Sequence, residues 1–300
     1  MTIDESTAPQ PPIKSQVSLG RVVFGLIFWV VLPLVVGWYL SRWTIPTPAV
    51  GIIRLNLDIY SYSAQLVGDQ VEEARKDSRI KAVVFQVDSP GGEVAPTQTM
   101  YFDLLDLRKK MPVVGSIDSM AASGGFYAIM ATDPIYSKPS STVGNVGVWG
   151  YFPPTMGVND TVLASGPFKL TASNSEQFQR EIEGIKLEFL ETVRASRGTR
   201  LVTSIDDLSQ GLAYPGRQAQ ELGLVDYMGS ESEAIRKAAE LAGIAHYDVV
   251  DLETIVLNRY LQESGYIKPW SGAPDAKTGE RKLLPGLYLL YDVRLGSTRR

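Results

Sequence analysis

The stretch Ala82-Val83-Val84-Phe85-Gln86-Val87-Asp88-Ser89-Pro90-Gly91-Gly92 joins an uncharged, largely apolar run to an abrupt glycine-rich end. A short run of this kind, bounded by turn-forming residues, is typical of a fully buried strand in a parallel sheet. Glycine has no Cβ, so the backbone N–H groups after Pro90 can approach a bound group closely. The stretch therefore predicts a central strand that ends in an oxyanion-binding turn.

A second stretch, Ser119-Met120-Ala121-Ala122-Ser123-Gly124-Gly125-Phe126-Tyr127, follows another strand-like run over residues 113–117. The apolar residues 126–131 indicate the start of a buried helix, which puts Ser123 at a helix N-terminus. Free N–H groups and the helix dipole stabilise negative charge at such a position. Together the two stretches predict an acyl-transfer enzyme, and specifically a serine peptidase.

A serine hydroxyl is a poor nucleophile unless a neighbouring group takes its proton. The sole histidine, His246, falls in a predicted loop far from both motifs and is interpreted as a packed or solvated side chain. A lysine can act as the base if burial in apolar surroundings keeps it uncharged. Lys169 fits best because apolar residues and a Gly-Pro turn flank it, and Lys138 and Lys186 are weaker candidates.

Five segments, taken in chain order, resemble the signal peptide peptidase A group of membrane-anchored serine peptidases, family S49. They are residues 88–92, 121–127, 144–148, 165–169 and 216–226. The resemblance covers about residues 50–250 and rests on the order and spacing of all five segments. It implies an α/β fold of the crotonase-like (ClpP-type) class, a superhelix of repeated ββα units, preceded by one N-terminal transmembrane helix.

The resemblance also implies a Ser/Lys dyad, with Ser123 as the nucleophile and Lys169 as the general base. It implies an endopeptidase that hydrolyses hydrophobic peptides such as cleaved signal peptides, without a metal or other cofactor. The implied oxyanion donors are the backbone N–H groups of Gly91, Gly92 and Gly124. An apolar groove is expected near Val94, Ala95, Phe126 and residues 148–149.

Asn145 is a departure from the family pattern. The family usually has Thr-Gly-Ser-Ile-Gly where this chain has Val143-Gly144-Asn145-Val146-Gly147, and the family serine helps to hold the lysine. The side-chain carbonyl oxygen of Asn145 can accept a hydrogen bond from a lysine amine. Asn145 is therefore predicted to orient Lys169.

Composition excludes several classes of function. The chain has 300 residues, 44% of them hydrophobic and 21% charged, and a formal net charge of −4. No basic stripe with interleaved aromatic residues is present, so nucleic acid is not an expected partner. The absence of cysteine rules out a disulfide framework and a thiolate nucleophile, and a single histidine argues against a zinc catalyst.

The N-terminal region predicts a membrane anchor over residues 18–43, after a disordered tail over residues 1–17 that the resemblance places in the cytoplasm. About nineteen residues from Val22 to Leu40 carry no charge, enough to span most of a bilayer's hydrocarbon core. A cleaved signal peptide and a buried core helix are the alternatives. The aromatic and arginine residues at 38–43 favour a retained anchor. Flanking charges do not decide the orientation, and the resemblance implies an extracytoplasmic catalytic domain attached to the cytoplasmic membrane.

Alternating strand and helix patterns predict one peptidase domain over residues 50–262, followed by a linker and tail over residues 263–300. The apolar run at 283–291 is too short for a second membrane span. It is interpreted as a packed tail, a strand that docks on a neighbour, or a peptide lying in the chain's own groove.

The resemblance implies a homo-oligomer. Predicted strands lie at 51–57, 82–87, 113–117, 135–136, 146–148 and 247–250, and predicted helices at 62–76, 98–110, 176–197, 218–222 and 231–241.

Two other functions remain open from the sequence. A crotonase-type acyl-CoA enzyme would use the same paired glycines, but it would need a glutamate acid/base and would have no use for Ser123 or a membrane anchor. A catalytically silent membrane scaffold of the same fold is the other alternative.

Overall fold

The computed structural model describes residues 19–44, 46–152, 165–169, 172–264 and 286–290. Contacts divide the chain into a small unit that ends at Pro46 and a main unit that begins at Thr47. The predicted disordered tail and the residues 265–285 of the predicted linker lie outside the described residues.

The small unit is a helix made of α1 (Leu19–Leu26), a π-helical turn (Ile27–Val31) and α2 (Leu32–Thr44). Its stretch Leu19–Tyr39 has 21 residues and a mean hydropathy of 2.4. At 1.5 Å per residue it is about 31 Å long, which matches the hydrocarbon thickness of a bilayer. The π turn immediately precedes the turn that contains Pro33, whose missing N–H interrupts regular helical bonding.

The main unit begins with strands and helices in alternation. In chain order they are β1 (Ala49–Leu55), α3 (Ser61–Lys76), β2 (Ile80–Ser89), β3 (Gly91–Glu93), α4 (Val94–Arg108), β4 (Val113–Ala122) and α5 (Gly124–Ile129).

The second half of the main unit contains shorter strands and the longest helix. These elements are β5 (Ile135–Ser137), β6 (Thr142–Gly144), β7 (Trp149–Tyr151), α6 (Ser175–Arg197), a 3-10 turn (Gly198–Arg200), α7 (Ile205–Leu208), β8 (Ala213–Pro215), α8 (Gly216–Glu221), β9 (Tyr227–Met228), α9 (Glu231–Leu241), β10 (Asp248–Asp251), α10 (Leu252–Ser264) and β11 (Gly286–Leu290).

The main sheet has the strand order β10-β1-β2-β4-β5-β9, and every pair along this path is parallel. β4 is long enough to change partner: its first half pairs with β5 and its last residues pair with β6. β8 then adds to β6 as an antiparallel strand. The chain is therefore an α/β protein with a mixed sheet.

Side chains of β2 alternate between two hydrophobic cores, as the period of two in a strand requires. Val83 and Phe85 belong to the larger core, which α3, α4, α5 and α6 cover. Ala82 and Val84 belong to a smaller core under α9. Because both faces are covered, residues 82–85 of β2 are all apolar and fully buried, which confirms the prediction of a buried parallel strand.

Most predicted elements are confirmed, with shifts at their ends. The helices expected at 62–76, 176–197 and 231–241 correspond to α3, α6 and α9. α4 begins at Val94 rather than Gln98, because Pro96 is tolerated in a first helical turn. The strand expected at 146–148 is wrong: Asn145 adopts a left-handed conformation (φ 56°), and the strands β6 and β7 lie on either side of it.

A separate three-stranded sheet has the order β3-β11-β7. β11 lies in its middle and is antiparallel to both neighbours. The backbone segment Gly286–Leu290 therefore fills a cleft between β3 and β7, and it also contacts α4 and α5.

Candidate active site

The two glycine motifs meet at one edge of the main sheet. β2 and β4 are adjacent parallel strands, and their last pairing joins Ser89 to Ala121. The turn with Gly91 and Gly92 follows β2, and Ser123 follows β4. Since carboxyl ends of parallel strands share an edge, the sheet brings both motifs together.

Ser123 lies in a sharp turn between β4 and α5. Its backbone has φ 51° and ψ −119°, a conformation that residues with a Cβ rarely adopt. Its N–H donates to the carbonyl of Gly144 (2.8 Å), and its carbonyl accepts the N–H of Tyr127 (2.9 Å). The residue is only 2% exposed. These bonds hold Ser123 in a strained position at the start of a short helix, whose first-turn N–H groups have no acceptor within the helix.

Gly92 and Gly125 lie where a side chain would collide with backbone. A Cβ at Gly92 would be 1.9 Å from the carbonyl oxygen of Ile59, and one at Gly125 would be 2.7 Å from that of Ser89. Gly91 has φ 97°, which also favours glycine. Glycine is therefore required at positions 92 and 125, because the backbone segments that contain Ile59, Ser89 and Gly125 approach one another closely.

The hydrogen bonds of β3 decide where the N–H of Gly92 points. Glu93 donates its N–H to the carbonyl of Ile59, and Ile59 donates to the carbonyl of Gly91, both at 2.8 Å. Successive residues of a strand direct their polar groups to opposite edges. The N–H of Gly92 therefore faces away from Ile59, toward β11, where Leu289 is its register partner.

Asn145 is fixed on one side by the segment before β8. Its backbone N–H donates to the carbonyl of Leu212 (2.8 Å), and its Nδ2 donates to the carbonyl of Gly211 (2.7 Å). The side-chain Oδ1 is thus the group that can accept a further hydrogen bond. Its role in orienting a lysine stays a prediction.

Lys169 is exposed in the turn formed by residues 165–169. Its backbone N–H donates to the carbonyl of Gly166 (3.1 Å). Among the described residues, no hydrogen bond joins its ammonium group to Ser123. The apolar burial expected of Lys169 is not found in this conformation, and its assignment as the base stays a prediction.

The other candidate bases are occupied or remote. Lys138 pairs with Asp118, and Lys186 pairs with Glu183 (2.7 Å). His246 is exposed in the loop between α9 and β10, as the sequence predicts.

One group of contacts near the site was not predicted. The hydroxyl of Tyr127 donates to Glu188 (3.3 Å) and accepts from Thr192 (3.3 Å), which joins α5 to α6. Burial raises the pKa of Tyr127, so it stays a neutral donor. In the sequence, the only indication of these contacts is the hydroxyl group of Tyr127, which follows Gly125 and Phe126.

The groove prediction is partly corrected. Phe126 is wrong as a lining residue, because it is fully buried and packs against Phe189 at a ring distance of 6.5 Å. Ala95 is exposed and Trp149 half-buried, on elements that flank the cleft holding β11. No group of three or more potential metal ligands occurs in the described ranges.

One family model and three relatives with peptidase names are similar to this chain. The model of peptidase family S49 matches residues 106–245. A protein of Synechocystis sp. named as a protease is 33% identical over 60% of this chain and 69% of its own length. Protease 4 of Salmonella typhi is 31% identical over 63% of this chain but only 33% of its own length. A protein of Enterococcus faecium named as signal peptide peptidase SppA is 24% identical over 70% of this chain and 63% of its own length.

Proposed function

Since this chain belongs to peptidase family S49 and is a serine peptidase, we propose that Ser123 and Lys169 form its catalytic dyad and hydrolyse extended peptides. The observation that carries the proposal is the meeting of two turns at one sheet edge. Strained, buried Ser123 lies there beside a strand whose Gly92 N–H faces the β3–β7 cleft.

In this mechanism, Ser123 Oγ attacks the peptide carbonyl while neutral Lys169 takes the hydroxyl proton. The N–H groups of Gly92 and Gly124 donate to the oxyanion of the tetrahedral intermediate. Lysine then returns the proton to the leaving amine, and an ester to Ser123 remains. Water, deprotonated by the same lysine, releases the acid and restores the serine.

Lys169 must lose its exposure for this chemistry. An ammonium in water keeps its proton at neutral pH, whereas burial beside Ser123 favours the neutral amine. We infer that Lys169 becomes buried beside Ser123 in the catalytically active conformation. Oδ1 of Asn145, held at the same edge of the sheet through Gly211, is the proposed acceptor for the lysine amine.

The substrate class is inferred from the cleft. β11 adds to β3 and β7 through backbone pairing, which supports recognition of extended peptides by main-chain hydrogen bonds. The name of the Enterococcus relative suggests signal peptides, and we propose hydrophobic peptides left in the membrane as the physiological substrates.

Reaction with a fluorophosphonate probe tests the dyad directly. The full chain in detergent is expected to be labelled at Ser123 and to cleave a hydrophobic reporter peptide. Ser123→Ala should lose both signals. Lys169→Ala should reduce both by about a hundredfold or more, because the serine loses its base. Lys138→Ala and Lys186→Ala remove equivalent charges from other positions and should leave both rates within about twofold.

Three results would contradict the dyad. Unchanged labelling of Lys169→Ala would exclude that residue as the base. Turnover of an acyl-CoA ester without peptide cleavage would favour the crotonase-type enzyme. Absence of both labelling and turnover in a folded chain would indicate the silent scaffold.

The remaining proposals concern architecture and assembly. We propose that the S49 unit has the crotonase-like fold, that residues 18–43 anchor it, and that its catalytic part lies outside the cytoplasmic membrane. We also propose that the chain forms a homo-oligomer. Light scattering with the detergent mass subtracted should give a multiple of 32.9 kDa, and a monomer would refute the assembly.

A further inference from the structure

Glu93 occupies a special place in the cleft. It directly follows Gly92 in β3, and its register partner in β11 is Tyr288. Directly opposed positions in an antiparallel pair have Cβ atoms about 4.5–5.5 Å apart, so positions 93 and 288 lie on the same face of this sheet. Any peptide that replaces β11 in this register presents one residue to Glu93.

The backbone of Glu93 is rigidly held. Its N–H donates to the carbonyl of Ile59 (2.8 Å), and its carbonyl accepts the hydroxyl of Thr97 (2.7 Å). Glu93 is also the residue before α4, but its side chain does not cap that helix. Its carboxylate is therefore available for contacts outside β3 and α4.

The carboxylate of Glu93 pairs with no positively charged group among the residues that the structure describes. Glu93 is half-buried, and within the described part of the chain its side chain has no hydrogen-bond or ion-pair partner. Burial raises the pKa of Glu93, which expresses the cost of removing the carboxylate from water. A cation or hydrogen-bond donor placed opposite would recover part of that cost.

We propose that Glu93 is a specificity-determining residue, which selects a cationic or hydrogen-bond-donating side chain at the peptide position opposite it. That position is the residue immediately N-terminal to the one that pairs with Gly92. In the chain's own segment it is Tyr288, whose phenol can donate a hydrogen bond. The inference takes one premise from the proposed function, namely that substrate peptides bind in the cleft between β3 and β7.

The test measures binding rather than hydrolysis. Three fluorescent eight-residue peptides copy residues 285–292, with Lys, Gln or Glu at the position of Tyr288. Their affinities for the full chain carrying Ser123→Ala are measured by anisotropy in detergent. Competition from the chain's own segment lowers all three affinities by the same factor, so the ratios remain readable.

We expect the Lys peptide to bind about tenfold more tightly than the Glu peptide, with the Gln peptide between them. Adding Glu93→Gln should bring the Lys/Glu ratio to within about twofold. Adding Glu93→Lys should reverse the preference. Equal affinities of the Lys and Glu peptides for the parent, or no binding at millimolar concentration, would overturn the proposal.

Two controls separate a local contact from the overall charge of the molecule. Glu221→Lys, at an exposed position in α8, changes the net charge equally and should leave the ratio unchanged. Peptides with Lys or Glu at the position of Leu289 place the charge on the opposite face of the strand. If the Lys/Glu affinity ratio of these Leu289-position peptides also changed when Glu93 was substituted, the proposal would be overturned. Because no turnover is required, failure of wild-type hydrolysis refutes the dyad separately.

Discussion

At the scale of single residues, the site depends on backbone positions that accept no ordinary side chain. Ser123 is held at positive φ by hydrogen bonds to two neighbouring segments. Gly92 has no room for a Cβ, because the carbonyl oxygen of Ile59 would be 1.9 Å away. The strained backbone of Ser123 and the close approach of Gly92 to Ile59 hold the proposed nucleophile and the proposed oxyanion donor at the same edge of the main sheet.

Gly92→Ala is expected to lower kcat for peptide hydrolysis by about a hundredfold to a thousandfold, the usual effect of losing one oxyanion donor. The added methyl group must push β3 away from Ile59, which moves the N–H of residue 92. Steady-state kinetics on a reporter peptide measures the change. Gly184→Ala in α6 meets nothing within 4 Å and should retain activity. Full activity of Gly92→Ala would show that this amide is not a donor.

At the scale of secondary-structure elements, a buried ion pair attaches α6 to the sheet. Arg197, at the end of α6, is 1% exposed and donates to both carboxylate oxygens of Asp226 (3.0 and 2.6 Å). Asp226 also accepts the N–H of Ile135 at the start of β5 (2.8 Å). Burial alone would raise the pKa of Asp226, but the bonds from Arg197 and Ile135 and the charges of Arg197 and Arg200 outweigh it, so the pKa is lowered.

Asp226→Asn is expected to reduce the free energy of unfolding by about 3 kcal/mol or more at pH 7, because Arg197 stays buried without its counter-charge. Urea denaturation of the full chain in detergent measures the loss. Asp206→Asn, at an exposed position of α7, should change stability by less than about 0.5 kcal/mol. Equal effects of the two substitutions would contradict a structural role for the buried pair.

The same pair predicts a pH dependence. Since the folded-state pKa of Asp226 is lowered, its contribution to stability is complete above the unfolded value of about 3.9 and disappears as pH falls through the folded value. The stability difference between wild type and Asp226→Asn should therefore shrink steadily below about pH 4. A difference that stays constant down to pH 2 would contradict the lowered pKa.

β11 is the element that fills the proposed peptide cleft. Removing residues 283–300 is expected to lower KM for a reporter peptide by about tenfold, because the segment competes at an effective concentration of about millimolar, while kcat stays unchanged. Leu289→Pro should have the same effect, since proline has no N–H to pair with Gly92. Leu289→Ala keeps that N–H and serves as the control. An unchanged KM after truncation would show that β11 does not occupy the substrate site.

At the scale of the whole molecule, one apolar helix precedes one α/β unit, and we propose that the helix attaches the chain to a membrane while the α/β unit carries out the chemistry. The stretch Leu19–Tyr39 has the length and hydropathy of a membrane span, and none of its described side chains is buried. We expect the chain to stay in the membrane fraction at alkaline pH. A periplasmic-type reporter enzyme fused after Arg300 should be active, and a reporter that works only in the cytoplasm should not. The reverse pattern would refute the proposed orientation.

Local sequence alone determined the elements whose signals lie within a few residues. The apolar run ending at Asp88, the small residues around Ser123 and the helical periodicity of α6 and α9 each predict their structure, because propensity and hydrophobic period act over short range. The same signals predicted the serine and the glycines of the site. They also predicted the family, through five short motifs.

Tertiary structure alone decided how those pieces face one another. The direction of the Gly92 N–H depends on a bond between Glu93 and Ile59, and the position of Gly286–Leu290 between β3 and β7 depends on backbone pairing across nearly two hundred residues. The exposure of Lys169 and the full burial of Phe126 likewise follow from packing. Backbone hydrogen bonds between distant segments carry no side-chain pattern, and for that reason the sequence does not reveal them.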